Sequence, residues 1–236
     1  MPVLTFANTK GGAGKTTAAL VLASELSARG IRVTMLDADP SGWLTRWYQK
    51  QAVTPFLTVQ PVCDETIEET TVKAKKAGGY VLIDLPSSGE TVLARAVALA
   101  DRVLVPVQGC AMDAQGGAEV LDLLNELDTR CNVKIAHSVV LTRVNAAVTT
   151  RALHAAKDFL SARGIETMTT PITERAAYRD VFDKGGLIHD LDPLEVSNLS
   201  RALDNASRFA DEVLDLVPQR ALLRRPSAAV PLRPAA

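Results

Sequence analysis

Short runs of aliphatic and β-branched residues alternate along this chain with stretches whose apolar positions recur every three to four residues. The runs predict strands at Val3–Ala7, Ile31–Leu36, Phe56–Val59, Tyr80–Leu85, Arg102–Val107, Lys134–Leu141 and Thr167–Ile172. The helical period predicts helices at Lys15–Ala28, Gly42–Gln49, Glu65–Lys76, Gly89–Leu99, Asp113–Leu127, Thr149–Ser161, Glu174–Phe182 and Leu194–Leu216. The strands are apolar on both faces and are separated by helical crossovers. That combination implies an α/β fold with a single doubly wound, mostly parallel sheet flanked by helices. Ligands of such sheets bind beyond the carboxyl ends of the strands, so chemistry is sought there.

The pattern stops at Pro218, which ends the last predicted helix. Residues 1–217 are therefore expected to form one domain, and residues 218–236 a disordered tail rich in Pro, Arg and Ala. The tail has no acidic residue and carries Arg220, Arg224, Arg225 and Arg233, so a basic arm touching DNA is the sharper alternative. Composition then narrows the classes. With 47% hydrophobic residues among 236, the chain can bury a sizeable core. Its net charge of −1 gives no global field toward nucleic acid or membrane, so any such contact needs a local patch. Cys63, Cys110 and Cys131 are scattered and lack metal-ligand spacing, which fits buried thiols in a reducing compartment. The N-terminus enters a strand directly, and no apolar run reaches the ~18 residues of a membrane span. A soluble, cytoplasmic protein is expected.

Candidate chemistry concentrates at three strand ends. Thr9-Lys10-Gly11-Gly12-Ala13-Gly14-Lys15-Thr16-Thr17 lies between the first strand and the first helix, the context of a phosphate-binding loop. Glycines let backbone N–H groups turn inward around oxyanions, and the helix N-terminus adds donors and a positive dipole end. Lys15 would reach the outer phosphates, and the Thr16 hydroxyl would ligate Mg²⁺. Asp37-Ala38-Asp39-Pro40 puts two carboxylates just past the second strand, where a cation or an oriented water would justify them. Tyr80-Val81-Leu82-Ile83-Asp84 is a dry strand ending in one carboxylate, a Walker B arrangement that reaches Mg²⁺ through water.

The loop departs from the general pattern. Thr9 stands where a glycine is usual, and a second lysine, Lys10, precedes the Gly-Gly pair. The form Lys-Gly-Gly-x-Gly-Lys-Thr-Thr resembles the deviant Walker A loop of the ParA/MinD ATPases, and Asp37-Ala38-Asp39-Pro40 resembles their first switch. The resemblance runs from about Val3 to Leu216, and the stretch from Pro171-Ile172 through Tyr178-Arg179 to Gly185-Gly186 is similar to small ParA proteins. It implies ATP and Mg²⁺ as cofactors, and a homodimer formed on ATP binding in which each Lys10 reaches the opposite γ-phosphate. Catalysis would rest on Lys10, Lys15 and Asp39, with Asp39 positioning the attacking water and Asp37 in a structural or metal-shell role. Lys10 through Thr17 would bind the nucleotide, Thr16, Asp39 and Asp84 the metal, and Ser87-Ser88-Gly89 would be the second switch.

The resemblance also bears on base and cargo. Guanine-reading relatives use an aspartate where Leu141-Thr142-Arg143-Val144-Asn145 offers an asparagine, so adenine is favoured. Arg143, Asn145 and Pro171 are the candidate adenine contacts. Slow turnover, stimulated by non-specific DNA and an activating partner protein (ParB-like or a cargo adaptor), would partition or position a cargo on the nucleoid. Arg201 and Arg208, on one face of the last helix, join Arg220, Arg224 and Arg225 as candidate DNA contacts. Leu44-Thr45-Arg46-Trp47 resembles the VirC1-type ATPase of DNA-transfer systems, which makes assembly of a transfer complex the alternative. Trp43 and Trp47 are read as core or interface packing. A MinD-like membrane switch needs an amphipathic C-terminal helix, and Pro218 cuts Val213–Val217 too short; no membrane partner is expected. An iron–sulfur carrier lacks its cysteines here. A small-molecule kinase or ligase would reveal itself by needing a metabolite for turnover.

Overall fold

The computed structural model describes residues 1–50, 54–108, 111–145, 151–162 and 165–218, with side chains except at 111–114, 152, 153 and 156. The central strands β1 (Val3–Phe6), β2 (Val33–Asp37) and β4 (Tyr80–Asp84) are buried at every position, as runs without polar alternation require. With β3 (Leu57–Pro61), β5 (Arg102–Gln108), β6 (Ala136–Val144) and β7 (Ile172–Thr173) they form a seven-stranded sheet in the order β3-β2-β4-β1-β5-β6-β7. Every pairing is parallel.

The chain winds to one edge through β2 and β3, returns at β4 beside β1, and then builds the other half with β5, β6 and β7. β1 is where the winding reverses, and a ligand crevice opens at such a point.

Alternate strand residues feed two cores. Leu4, Phe6, Tyr80 and Leu82 pack with α1 (Lys15–Ala28), α2 (Trp43–Lys50), α7 (Ala177–Lys184) and α8 (Leu199–Leu216). Val3, Ala7, Val81 and Ile83 pack with α3 (Ile67–Ala77), α4 (Glu90–Leu99), α5 (Ala111–Cys131) and α6 (Arg151–Ala162).

Several bounds move from their sequence expectations, for local reasons. The last expected strand, Thr167–Ile172, shrinks to two residues and an isolated bridge between Val139 and Thr167. In between, the N–H groups of Thr169 and Thr170 donate to the Glu212 carboxylate, each at 2.7 Å, instead of to a neighbouring strand. β6 runs on to Val144 but is broken by Arg143, whose φ of 50° shifts the register. α8 begins at Leu199, because Asn198 takes the left-handed conformation that breaks the expected start at Leu194. Trp47 is buried as expected, but Trp43 is 60% exposed, with the Arg46 guanidinium 4.7 Å over its ring. Cys63 and Cys131 are exposed, so the expectation of buried thiols fails for both. Cys110, the helix start at Thr149 and the tail arginines Arg220, Arg224, Arg225 and Arg233 lie outside the described residues. No helix among the described residues is long and apolar enough to cross a membrane.

Candidate functional site

Where β1 ends, Asn8 starts the loop and is 2% exposed. Its Nδ2 donates to Pro106 O at 2.7 Å, and its Oδ1 accepts from the Lys10 N–H at 2.8 Å, tying the first limb of the loop to β5. Gly12 and Gly14 then adopt φ values of 79° and 92°, open to glycine at little cost. Gly14 also clears Thr142, which a Cβ would approach to 3.2 Å. Thr142 Oγ1 donates to Ala13 O at 2.7 Å, and Gln108 Nε2 donates to Gly12 O. The ends of β5 and β6 thus brace the loop from the side. No side chain caps the first turn of α1, which leaves its N–H groups available to an anion.

The loop's other flank is α5. Thr9 Oγ1 donates to Glu119 Oε2 and lies 3.2 Å from the Gly116 carbonyl oxygen. This approach requires bare glycine. A Cβ at residue 116 would fall 2.5 Å from Asn8 Oδ1 and 2.9 Å from Lys10 Cβ.

Lys15 is buried, and its ammonium donates to Asn8 O at 3.0 Å and Lys10 O at 3.3 Å. Burial lowers its pKa, while Asp84 and Asp39 pull it back up. Those three side chains therefore share one electrostatic neighbourhood, as their motif order suggests.

The carboxylates divide by role. Asp37 and Asp84 are register partners at the ends of β2 and β4, and Phe6 pairs with Asp84 from the other side. Asp37 Oδ2 accepts from the Thr45 N–H at 2.8 Å and from Thr45 Oγ1 at 2.7 Å, fixing the first turn of α2. Asp39 is half-buried, and its Oδ1 accepts from the Ser41 N–H at 2.8 Å in the turn that begins the expected first switch. Asp84 is 1% exposed, and neither of its oxygens has a hydrogen-bond partner of good geometry. Burial raises its pKa to about 7, helped by Asp37 and Asp39 and opposed by the nearby Thr16 hydroxyl and Lys15.

A buried carboxylate left without partners is costly unless something binds it. The position fits a hydrated Mg²⁺, which Asp84 and the neighbouring Thr16 hydroxyl would hold. Among the described residues no group of three or more His, Cys, Asp or Glu side chains is arranged to hold a metal alone. A metal there would take most of its coordination from phosphate and water oxygens. Ser87, the first residue of the expected second switch, sits beside Gly11, where a Cβ would lie 3.6 Å from its Oγ.

Toward β7 the crevice widens into a cavity of about 150 Å³ lined by Gly14, Thr17, Thr142, Arg143, Thr173, Arg175 and Tyr178 among others. Of the expected adenine contacts, only Arg143 lines it. Asn145 and Pro171 line a neighbouring groove of about 600 Å³ instead, together with the expected DNA contacts Arg201 and Arg208. That groove also contains Lys157 and Arg175, with Asp204 as the only carboxylate among its described lining residues.

A family profile described as VirC1 protein matches residues 1–219. Protein ParA of Rhizobium radiobacter is 37% identical over 211 residues, covering 89% of this chain and 95% of that relative. The chain belongs to the VirC1/ParA family. Its fold matches solved ParA/MinD-type ATPases. The ATP complex of an Asp-to-Ala variant of Cyanothece McdA aligns at a TM-score of 0.70 and 16% identity, covering 90% of this chain and 96% of that one. Cobyrinic acid a,c-diamide synthase from Mycobacterium smegmatis, with bound ATP analogue and magnesium, aligns at 0.63 and 20% identity, covering 78% and 93%. The structural neighbours thus include ATP and Mg²⁺ complexes, and the VirC1/ParA chain joins a family of partition and positioning ATPases.

Site residues that motif reading missed in this VirC1/ParA chain are Asn8, Gln108, Gly116, Thr142, Tyr178 and Asn205. All but Asn8 reach the loop or the cavity wall from distant elements. Only Asn8 was within reach of motif logic, as the polar residue between an apolar strand and the loop.

Proposed function

We propose that this chain is an ATP-dependent dimerising switch that binds DNA non-specifically in its ATP state and hydrolyses ATP slowly to position or partition a cargo. The observation that carries the nucleotide half is Asp84, a buried carboxylate with no hydrogen-bond partner of good geometry, beside Thr16 and the uncapped start of α1. Bound Mg²⁺ would neutralise charge that develops on the phosphates. Lys10 through Thr17 wrap the phosphates, Lys15 swings from Asn8 O and Lys10 O to them, and each Lys10 reaches the γ-phosphate of the opposite subunit. Asp39 orients a water whose oxygen bonds to the γ-phosphorus as the bond to ADP breaks; the water's proton leaves to solvent. Turnover is slow until DNA and an activating partner protein, ParB-like or a cargo adaptor, accelerate it.

The DNA half is supported by the cationic groove. Lys157, Arg175, Arg201 and Arg208 line it, so pairing two subunits doubles the phosphate contacts and steepens salt dependence. The tail arginines Arg220, Arg224 and Arg225 would add phosphate contacts, with residues 1–217 as the ATPase domain. DNA retention measured with ATP, ADP and no nucleotide tests this reading. Retention that requires ATP, and falls with salt along a line whose slope counts phosphates, is expected. Equal retention in all three conditions would overturn it.

Assembly of a DNA-transfer complex is the second reading, favoured by the VirC1 match and by the Leu44-Thr45-Arg46-Trp47 stretch. It keeps the switch and changes the cargo. Strict preference for one duplex sequence in the same assay would favour it.

A further inference from the structure

The base-side cavity and the cationic groove share a wall. Thr173 and Arg175 line both, and β7, only two residues long, is that wall's backbone. So short a strand cannot hold itself in place through sheet bonds alone, and one side chain on α8 supplies most of the remainder. Asn205 Oδ1 accepts from the Thr173 N–H at 3.0 Å and from Thr173 Oγ1 at 2.9 Å, and its Nδ2 donates to Pro171 O at 2.8 Å. The Tyr178 hydroxyl, at the end of a ring that lines the cavity, donates to Ala202 O at 2.7 Å and lies 3.1 Å from Asn205 Oδ1. Arg175 Nε in turn donates to Thr173 Oγ1 at 3.0 Å. Asn205 itself lines the groove, and Arg201 and Arg208 stand four residues before it and three after, on the same helix face.

We propose that Asn205 is a positioning residue that transmits occupancy of the base cavity to the cationic groove. Anything that presses on Tyr178 or Thr173 from the cavity side moves the amide, and with it the stretch of α8 that carries Arg201 and Arg208. Spacing between those arginines and Lys157 or Arg175 then differs between the occupied and the empty cavity. DNA phosphates, at fixed separations, read that difference as affinity. This link acts within one subunit, beside whatever gain comes from pairing two grooves. It rests on the reading of the groove as a DNA surface.

The test compares affinity for random-sequence duplex DNA with ATP, which fills the base cavity, and with no nucleotide, in the full chain, alongside light scattering in the same buffers. By linkage, the ratio of DNA affinities with ATP and without nucleotide equals the factor by which DNA tightens ATP. In Asn205→Ala that ratio is expected to fall by about 2- to 30-fold, while ATP still produces dimers. Asn205→Asp keeps the acceptor oxygens and adds a negative charge to the groove, so both affinities should drop with most of the ratio retained. A role confined to fold stability would not split the two variants in this way. Should Asn205→Ala not fold, Thr173→Val removes only the hydroxyl link and should lower the ratio in the same direction. A ratio unchanged in folded Asn205→Ala would overturn the inference while leaving the proposed function standing. A ratio that falls only in step with lost dimers would overturn it too. If the unaltered chain holds DNA equally with ATP, with ADP and with no nucleotide, the proposed function fails, and this inference with it.

Discussion

The two ends of the nucleotide crevice are built on opposite plans. At the phosphate end, short consecutive stretches do the work. One loop, and the carboxylates at the ends of β2 and β4, bring Lys15, Asp39 and Asp84 into a single electrostatic cluster with two buried, unpartnered oxygens at its centre. At the base end, the wall is a two-residue strand and the segment before it, held by side chains 32 to 43 positions away, namely Asn205 and Glu212. The first end is preorganised for charge and gives up stability to be so. The second is saturated with hydrogen bonds and stable, but its shape depends on α8. Chemistry that must bind one charged group is concentrated in motifs, while a wall that must adapt is spread over the fold.

Substitutions should separate the two ends, with effects declining from the first to the second. Asp39→Ala is expected to lower ATP turnover by about 100-fold or more while ATP binding survives, read by phosphate release beside calorimetry. Normal turnover would remove Asp39 from the mechanism. Lys15→Ala should weaken ATP by about 10- to 150-fold, the worth of charge-assisted hydrogen bonds at this depth, and calorimetry measures it.

Asp84→Asn tests the claim of sacrificed stability. The folded carboxyl keeps its proton to about pH 7, while its ordinary value is 3.8. Between those values the folded chain binds more protons than the unfolded one, so ligand-free stability falls as pH rises. The asparagine should flatten that decline and make the ligand-free protein more stable at pH 8 by roughly 2–4 kcal/mol, yet abolish the further stabilisation that Mg²⁺ adds to ATP. A less stable Asp84→Asn would show that the carboxylate is satisfied after all. At the base end, Glu212→Ala should cost only about 1–2 kcal/mol in denaturant unfolding and leave phosphate affinity unaltered, because the freed Thr169 and Thr170 N–H groups can turn to water. A large loss of ATP affinity there would erase the contrast.

The same division decides what can be read from the sequence. Lys15, Thr16 and Asp84 announce themselves because their partners are a few residues away or at the end of an apolar run, and the order of strands and helices follows from period alone. Asn205 is silent for the opposite reason. On α8 it looks like any polar residue of an amphipathic helix, and its meaning lies with Pro171 and Thr173 across the fold. Asn145 and Pro171 lie near the crevice in sequence order, but the left-handed backbone at Arg143 turns the chain after it toward the groove. Trp43 shares helical spacing with Trp47 but not its environment, since one turn of α2 faces Arg46 and solvent instead of the core.

The bare spot at residue 116 has a mechanical corollary. There is no slack between α5 and Lys10, since a single carbon added there would already overlap the lysine and Asn8. Sideways travel of α5 toward the loop would press on Lys10, the residue proposed to reach across to another copy. A long helix with one face in the core and the other in solvent would then be a lever through which a bound protein moves that lysine without ever touching the nucleotide.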